Sequence, residues 1–99
     1  MKFISTRGKS KVDYAATAIA KGLADDGGLF VPENFPKITF DDLTKMIDMD
    51  YAERACFVLH NYLEEYDYQE LLDACKNSYA KFEDGDGAPL VKIDNKTFI

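Results

Sequence analysis

Chemistry-bearing side chains are scarce in this sequence. Its 99 residues include one histidine, His60, and two cysteines, Cys56 and Cys75. Neither cysteine belongs to a C-x-x-C pair or a Cys/His ligand spacing, which argues against a zinc site and against a disulfide-stapled scaffold. Both fall in stretches of helical periodicity and read as small buried hydrophobes. His60 has no serine or carboxylate partner at nucleophile spacing, so triad chemistry has no footing and an ordinary histidine is expected. No apolar run approaches the roughly 18 residues of a membrane span. The opening Met-Lys-Phe-Ile runs at once into the polar STRGKSK of residues 5–11, which leaves no signal-peptide core. A reducing cytoplasm is the expected setting.

Positive charge is also in short supply. Twelve Lys and Arg stand against eighteen Asp and Glu, a net charge of −6, which disfavours nucleic acid and anionic membranes as partners. The imbalance is local: residues 1–40 hold six basic and four acidic side chains, whereas residues 41–86 hold four and thirteen. A chain of this length accommodates one domain, 1–99, burying roughly two-thirds of the surface of the unfolded chain.

Four stretches carry helix-start chemistry, a capping side chain three residues ahead of a carboxylate: Ser10 and Asp13, Thr39 and Asp42, Asp50 and Glu53, Asp67 and Glu70. The last two pairs have the glutamate that reaches back best. The expected helices are 11–21, 40–47, 51–63 and 68–82. Their apolar stripes are Val12, Ala15, Ala16 and Ile19 in the first, Ala52, Ala55, Cys56, Leu59 and Leu63 in the third, and Leu71, Leu72, Cys75, Tyr79 and Phe82 in the fourth. The third and fourth should form a helical hairpin across residues 64–67. Short strands are expected at 2–6, 29–31, 90–93 and 97–99, the last two joined by a turn at Asp94-Asn95-Lys96. The fold class is therefore α+β, mainly helical, with about four helices and short strands near both ends.

The densest punctuation is GLADDGGLFVP, residues 22–32. Gly22 closes the first helix, and Leu23 should fold back onto that helix as its hydrophobic partner. Asp25 to Gly28 has the composition of a tight turn, with Asp26 able to bond nearby amides and Gly27 or Gly28 supplying a positive φ. Leu29 to Val31 then makes a strand, and Pro32 ends its ladder on the donor side. A phosphate cradle fits poorly, because no G-x-G-x-x-G opens a helix and adjacent aspartates repel an anion.

Other candidates are weaker. Arg7, Lys9 and Lys11 could lend positive potential to a phosphorylated substrate, with Ser5, Thr6 and the Gly8 backbone beside them; a basic loop that docks on another domain is the stronger reading. The EDGDGAP of 83–89 reads as an exposed connector. Its DGDG begins like a calcium loop, but Ala88 and Pro89 occupy the next ligand and glycine positions and no glutamate stands at the twelfth. Tyr51, Phe57, Tyr62, Tyr66, Tyr68 and Phe82 should be mostly core, their hydroxyls reaching polar partners. The chain closes on Lys-Thr-Phe-Ile, apolar strand residues without a polar tail, as though a longer sequence continued.

FISTRG over 3–8, the alanine-rich helix, then KGLADDGGLFVPE over 21–33 and FPK over 35–37 closely resemble the amino-terminal segment of the threonine synthase family. There an opening of the type Y-x-S-T-R-G leads to A-x-x-x-G-L-A-x-D-G-G-L-F/Y-V-P in the same order and spacing. The likeness is sharp over residues 1–37, looser through the acidic helices, and returns at APLV, 88–91. It marks Ser5, Thr6, Arg7, Gly8, Gly22, Leu23, Asp26, Gly27, Gly28 and Pro32 as family-motif residues with structural or docking roles. The resemblance implies a pyridoxal-phosphate lyase of fold type II, which converts O-phospho-L-homoserine and water to L-threonine and phosphate. The family's cofactor lysine follows an H-G-P-T-x-x-F-K-D type motif that this chain lacks. No catalytic, cofactor or metal residue is therefore assigned, the chain alone should bind no cofactor, and its partner is a catalytic domain of the same polypeptide. The competing expectation is a free-standing acidic helical module that binds another protein.

Overall fold

The computed structural model describes residues 1–82 and 87–99; the calcium-loop reading and most of the connector fall on 83–86, outside the described residues. The first structured third is built around β1 (Phe3–Ser5), β2 (Lys11–Val12), α1 (Ala15–Lys21) and β3 (Phe30–Pro32). The strands form one antiparallel sheet in the order β2-β1-β3. Phe3 lies opposite Val12 and Pro32, and Ile4 opposite Lys11 and Val31. Pro32 is the last residue of β3, yet the Glu33 amide still donates to the Lys2 carbonyl at 2.8 Å, so pairing runs one residue past the proline.

The expected helix 11–21 starts four residues late. Residues 5–10 form a tight reversal in which the Ser5 amide donates to the Ser10 carbonyl at 2.8 Å and the Gly8 amide to the Ser5 carbonyl at 2.8 Å. The reversal brings Lys11 and β-branched Val12 back along β1, so Val12 is a strand residue and Ser10 caps nothing. Tyr14 takes the N-cap position in extended conformation without a side-chain cap. The missing cap comes from far away: the Glu65 carboxylate accepts the Ala16 amide at 2.8 Å. Ala15 and Ala18 are the buried positions of α1, whereas Ala16 is exposed and Ile19 points largely to water. Gly22 closes the helix at φ 73°, its amide donating to the Ala18 carbonyl at 3.0 Å. Leu23 does not fold back; it bridges to Leu29 and is exposed.

The helical part comprises α2 (Phe40–Met46), α3 (Tyr51–His60) and α4 (Tyr68–Tyr79). Thr39 and Asp42 form a full capping box, as do Asp50 and Glu53. At α4 the Asp67 side chain accepts the Gln69 and Glu70 amides, and it was Asp42 rather than Glu70 that joined Glu53 in reaching back. Arg54 of α3 clamps the far end of α2, Nε on the Met46 carbonyl at 2.9 Å and Nη2 on the Ile47 carbonyl at 3.0 Å.

The expected hairpin of α3 and α4 forms, closing on Ala52, Cys56 and Cys75, with Ala55, Leu71, Leu72 and Tyr79 packed around them. Both cysteines are buried free thiols. Burial raises the Cys75 thiol above its usual range, which keeps it protonated and inert. Leu59 and Phe82 lie at the edge of the stripe, more exposed than expected, and Phe82 falls beyond α4, which ends at Tyr79. Tyr66 likewise belongs to the surface, whereas Tyr68 is part-exposed with its hydroxyl against the buried Cys56, and desolvation raises that hydroxyl above its usual range. Val91 and Ile99 exchange both backbone hydrogen bonds, at 2.8 and 2.9 Å, around a turn fastened by the Asp94 carboxylate on the Lys96 and Thr97 amides at 2.8 Å each, but the strands expected at 90–93 and 97–99 shrink to one isolated bridge, Lys92 opposite Phe98. Among the described residues no helix is long and apolar enough to cross a membrane.

Candidate functional site

The two motif stretches that lie twenty residues apart in sequence meet at the end of β1. Ser5 is 2% exposed, and its hydroxyl donates to Asp26 Oδ1 at 2.6 Å while accepting the Arg7 amide at 3.1 Å. Asp26 Oδ1 also takes the Gly28 amide at 3.0 Å, and Oδ2 takes the Lys9 amide at 3.0 Å. Thr6 pairs both ways with Leu29: its amide donates to the Leu29 carbonyl at 2.9 Å and its hydroxyl accepts the Leu29 amide at 3.1 Å. Arg7 Nη1 donates to the Asp26 carbonyl at 3.0 Å. The result is a clasp that locks the 5–10 reversal onto the 24–28 turn.

Glycine is required in that turn for two different reasons. Gly27 has φ 78°, in the left-handed region, and its amide closes the turn on the Ala24 carbonyl at 2.8 Å. Gly28 has ordinary backbone angles but no room: a Cβ there would lie 2.1 Å from Ser5 Oγ, 3.0 Å from Thr6 Oγ1 and 3.1 Å from the Arg7 nitrogen. The turn reading of the glycine-rich stretch therefore holds at Gly27, and close approach of backbone to side chain explains Gly28.

Electrostatics follow from the hydrogen bonds. The Ser5 hydroxyl, with the Gly28 and Lys9 amides behind it, holds the Asp26 carboxyl below its ordinary range. Lys11 reaches away from the clasp to Glu33 at 2.6 Å, and that bond lowers the Glu33 carboxyl in turn.

A phosphate cradle would need amides free to donate, and here the four amides of the loop are all engaged. Thr6 donates to Leu29, Arg7 and Gly8 to Ser5, and Lys9 to Asp26. The Asp26 carboxylate, itself negative, already occupies the Lys9 amide and would repel an anion there. Sequence reasoning named every residue of the clasp except Lys9's amide role, but it placed Ser5 and Thr6 as candidate donors to a ligand. The structure pairs buried Ser5 with Asp26 and exposed Thr6 with Leu29.

Removing the Ser5 hydroxyl tests this arrangement through pH. A carboxyl with a lowered folded-state pKa contributes stability that is complete above its unfolded value, about 3.9, and is lost as pH falls through the folded value. In the parent chain Asp26 should titrate below the ordinary range by carboxyl-carbon NMR, and in Ser5→Ala it should move up towards it. Denaturant midpoints should fall on acidification less steeply in Ser5→Ala than in the parent. An unmoved Asp26 titration would show that the hydroxyl does not hold it.

Fold and clasp together define a small α+β module in which the two motif stretches bind one another. The chain belongs to the family described as "Threonine synthase N terminus", which matches residues 2–79. It is 29% identical to the threonine synthase of Pseudomonas aeruginosa over 103 residues, covering all of this chain and 21% of that protein. It is 38% identical to the Saccharomyces cerevisiae threonine synthase over 93 residues, covering 89% of this chain and 18% of that one. A crystal structure of PLP-bound threonine synthase from Brucella melitensis superposes on it with a TM-score of 0.90 at 31% identity, over 100% of this chain and 22% of that chain. The chain thus spans about a fifth of the length of these relatives. This membership favours the synthase reading over the free-standing acidic module.

Proposed function

We propose that this chain is the amino-terminal domain, residues 1–99, of a threonine synthase. The whole protein would be a cytoplasmic lyase of threonine biosynthesis that converts O-phospho-L-homoserine and water to L-threonine and phosphate. The observation that carries the reading is the match over the full chain to a PLP-bound threonine synthase. Pyridoxal phosphate, when bound, supplies the electron sink for proton loss and phosphate departure.

The residues present here do not fit that cofactor. A Schiff-base lysine needs a desolvated pocket, whereas every lysine of the chain is exposed. Cofactor and substrate binding are accordingly assigned to a catalytic domain outside residues 1–99, and this domain contributes a rigid surface for it. The two buried thiols suit a reducing compartment.

Two assays test the reading together. Purified residues 1–99, given pyridoxal phosphate and O-phospho-L-homoserine, should release no phosphate and keep no cofactor absorbance after dialysis. The intact gene product should release phosphate and threonine in equal amounts. Turnover by residues 1–99 alone, or none by the intact product, would contradict the assignment.

A further inference from the structure

The clasp satisfies its own polar groups, and what it presents outward is apolar. It fixes the segment between Leu23 and Leu29, which face each other in an antiparallel bridge. These leucines are 60% and 61% exposed, and Ile19, near the end of α1, is 63% exposed. Ile19 and Leu29 line an open hollow of about 360 Å³ together with Phe3, Phe30 and Leu63, over the buried Ala15 and Ala18. Branched apolar side chains gathered around an apolar hollow form the kind of patch that soluble surfaces rarely leave in water.

The surroundings select the chemistry of the occupant. At the Gly22 end of the hollow, Lys21 is already paired with Asp25 at 2.7 Å, and on the far side of β1 Lys11 is paired with Glu33. The hollow therefore calls for an apolar side chain and not for a charged ligand. The source is indicated by length: relatives that contain this whole segment carry it as about a fifth of a longer polypeptide. Chain tethered in the same molecule reaches such a hollow at high effective concentration.

We propose that the hollow between α1 and β3 is the socket into which the remainder of the same polypeptide inserts a branched or aromatic side chain, gripped by Ile19, Leu29 and Phe30. The Ser5–Asp26–Gly28 clasp, with Thr6 bonded to Leu29, then acts as the frame that holds Leu29 at the rim of the hollow. This rests on the chain being the amino-terminal domain of a longer synthase, and it names the surface that meets the catalytic domain.

Thiol accessibility in the intact gene product tests the socket. Ile19→Cys and Leu29→Cys each place a reporter at the hollow, against a background in which Cys56 and Cys75 are 0% and 5% exposed. Maleimide labelling at both reporters should be at least about tenfold slower in the native protein than in denaturant, at any protein concentration. Hydroxyl-radical footprinting of the unsubstituted protein should likewise leave Ile19 and Leu29 little oxidised, which covers the case of a variant that does not fold. Labelling as fast as in denaturant, or heavy oxidation, in a protein that forms threonine would overturn the socket while leaving the synthase reading intact. Protection that disappears on dilution would put a second copy on the face and also overturn it. A gene product that forms no threonine would defeat the underlying reading instead.

Discussion

Gly28→Val should destabilise the chain by about 3 kcal/mol, combining overpacking with the loss of the part-buried hydrogen bonds of the clasp. The clash is with a fixed neighbour. A Cβ at Gly28 falls 2.1 Å from Ser5 Oγ, and Ser5 cannot retreat because its residue is 2% exposed and its hydroxyl holds both Asp26 and the Arg7 amide. Relief requires opening the clasp, which frees the Gly28 and Lys9 amides as well. Gly27→Val should cost less, a little over 1 kcal/mol, through its φ of 78°. Among the described residues, the atoms near a Cβ at Gly27 are those of the guanidinium end of Arg7, which can swing away. Denaturant midpoints for the two variants give the ranking; Gly27→Val as the more damaging of the two would mean that backbone conformation outweighs close approach here.

Tyr79→Ala should cost about 2–3 kcal/mol by removing a half-buried aromatic from the α3–α4 pair. The Tyr79 ring stands edge-on to Tyr51 at 4.7 Å and lies 5.8 Å from Phe82. It also packs against the cluster of Ala52, Cys56 and Cys75. Gly87 rests on the same two rings, since a Cβ there would come within 2.4 Å of Tyr51 Cε1 and 3.1 Å of Tyr79 Cδ1. Losing the ring therefore loosens both the helical hairpin and the seat of the chain leading to the C-terminal hairpin. Tyr79→Phe should retain most of the stability, and Tyr66→Ala, at a surface position, should change little. Chemical unfolding followed by circular dichroism compares the three; equal losses for Tyr79→Ala and Tyr66→Ala would remove the pair from the core.

Local chemistry made much of this fold legible. Thr39 and Asp50 each announced a helix because capping is a contact between neighbours three residues apart, readable from spacing alone. Gly22 and the stripe of Leu71, Leu72, Cys75 and Tyr79 were visible for the same reason. The errors arose where a distant segment decided the outcome. Val12 looks helical until β1 is placed beside it, and the cap of α1 comes from Glu65, 49 residues beyond the amide it serves. The clasp was half legible: the residue set of Ser5, Asp26, Gly27 and Gly28 was marked by the motifs, but nothing in the spacing said that the two motifs bind each other. The outward face of Leu23 was misread because a bridge to Leu29 holds it away from α1.

The most direct measurement is an NMR titration of residues 1–99 with inorganic phosphate and with O-phospho-L-homoserine, reading the amides of Thr6, Arg7, Gly8 and Lys9. With all four amides held inside the clasp and Asp26 ionised beside them, neither anion should produce saturable shifts at constant pH and ionic strength. Saturable shifts centred on those amides would contradict a structural clasp and make the motif an anion site.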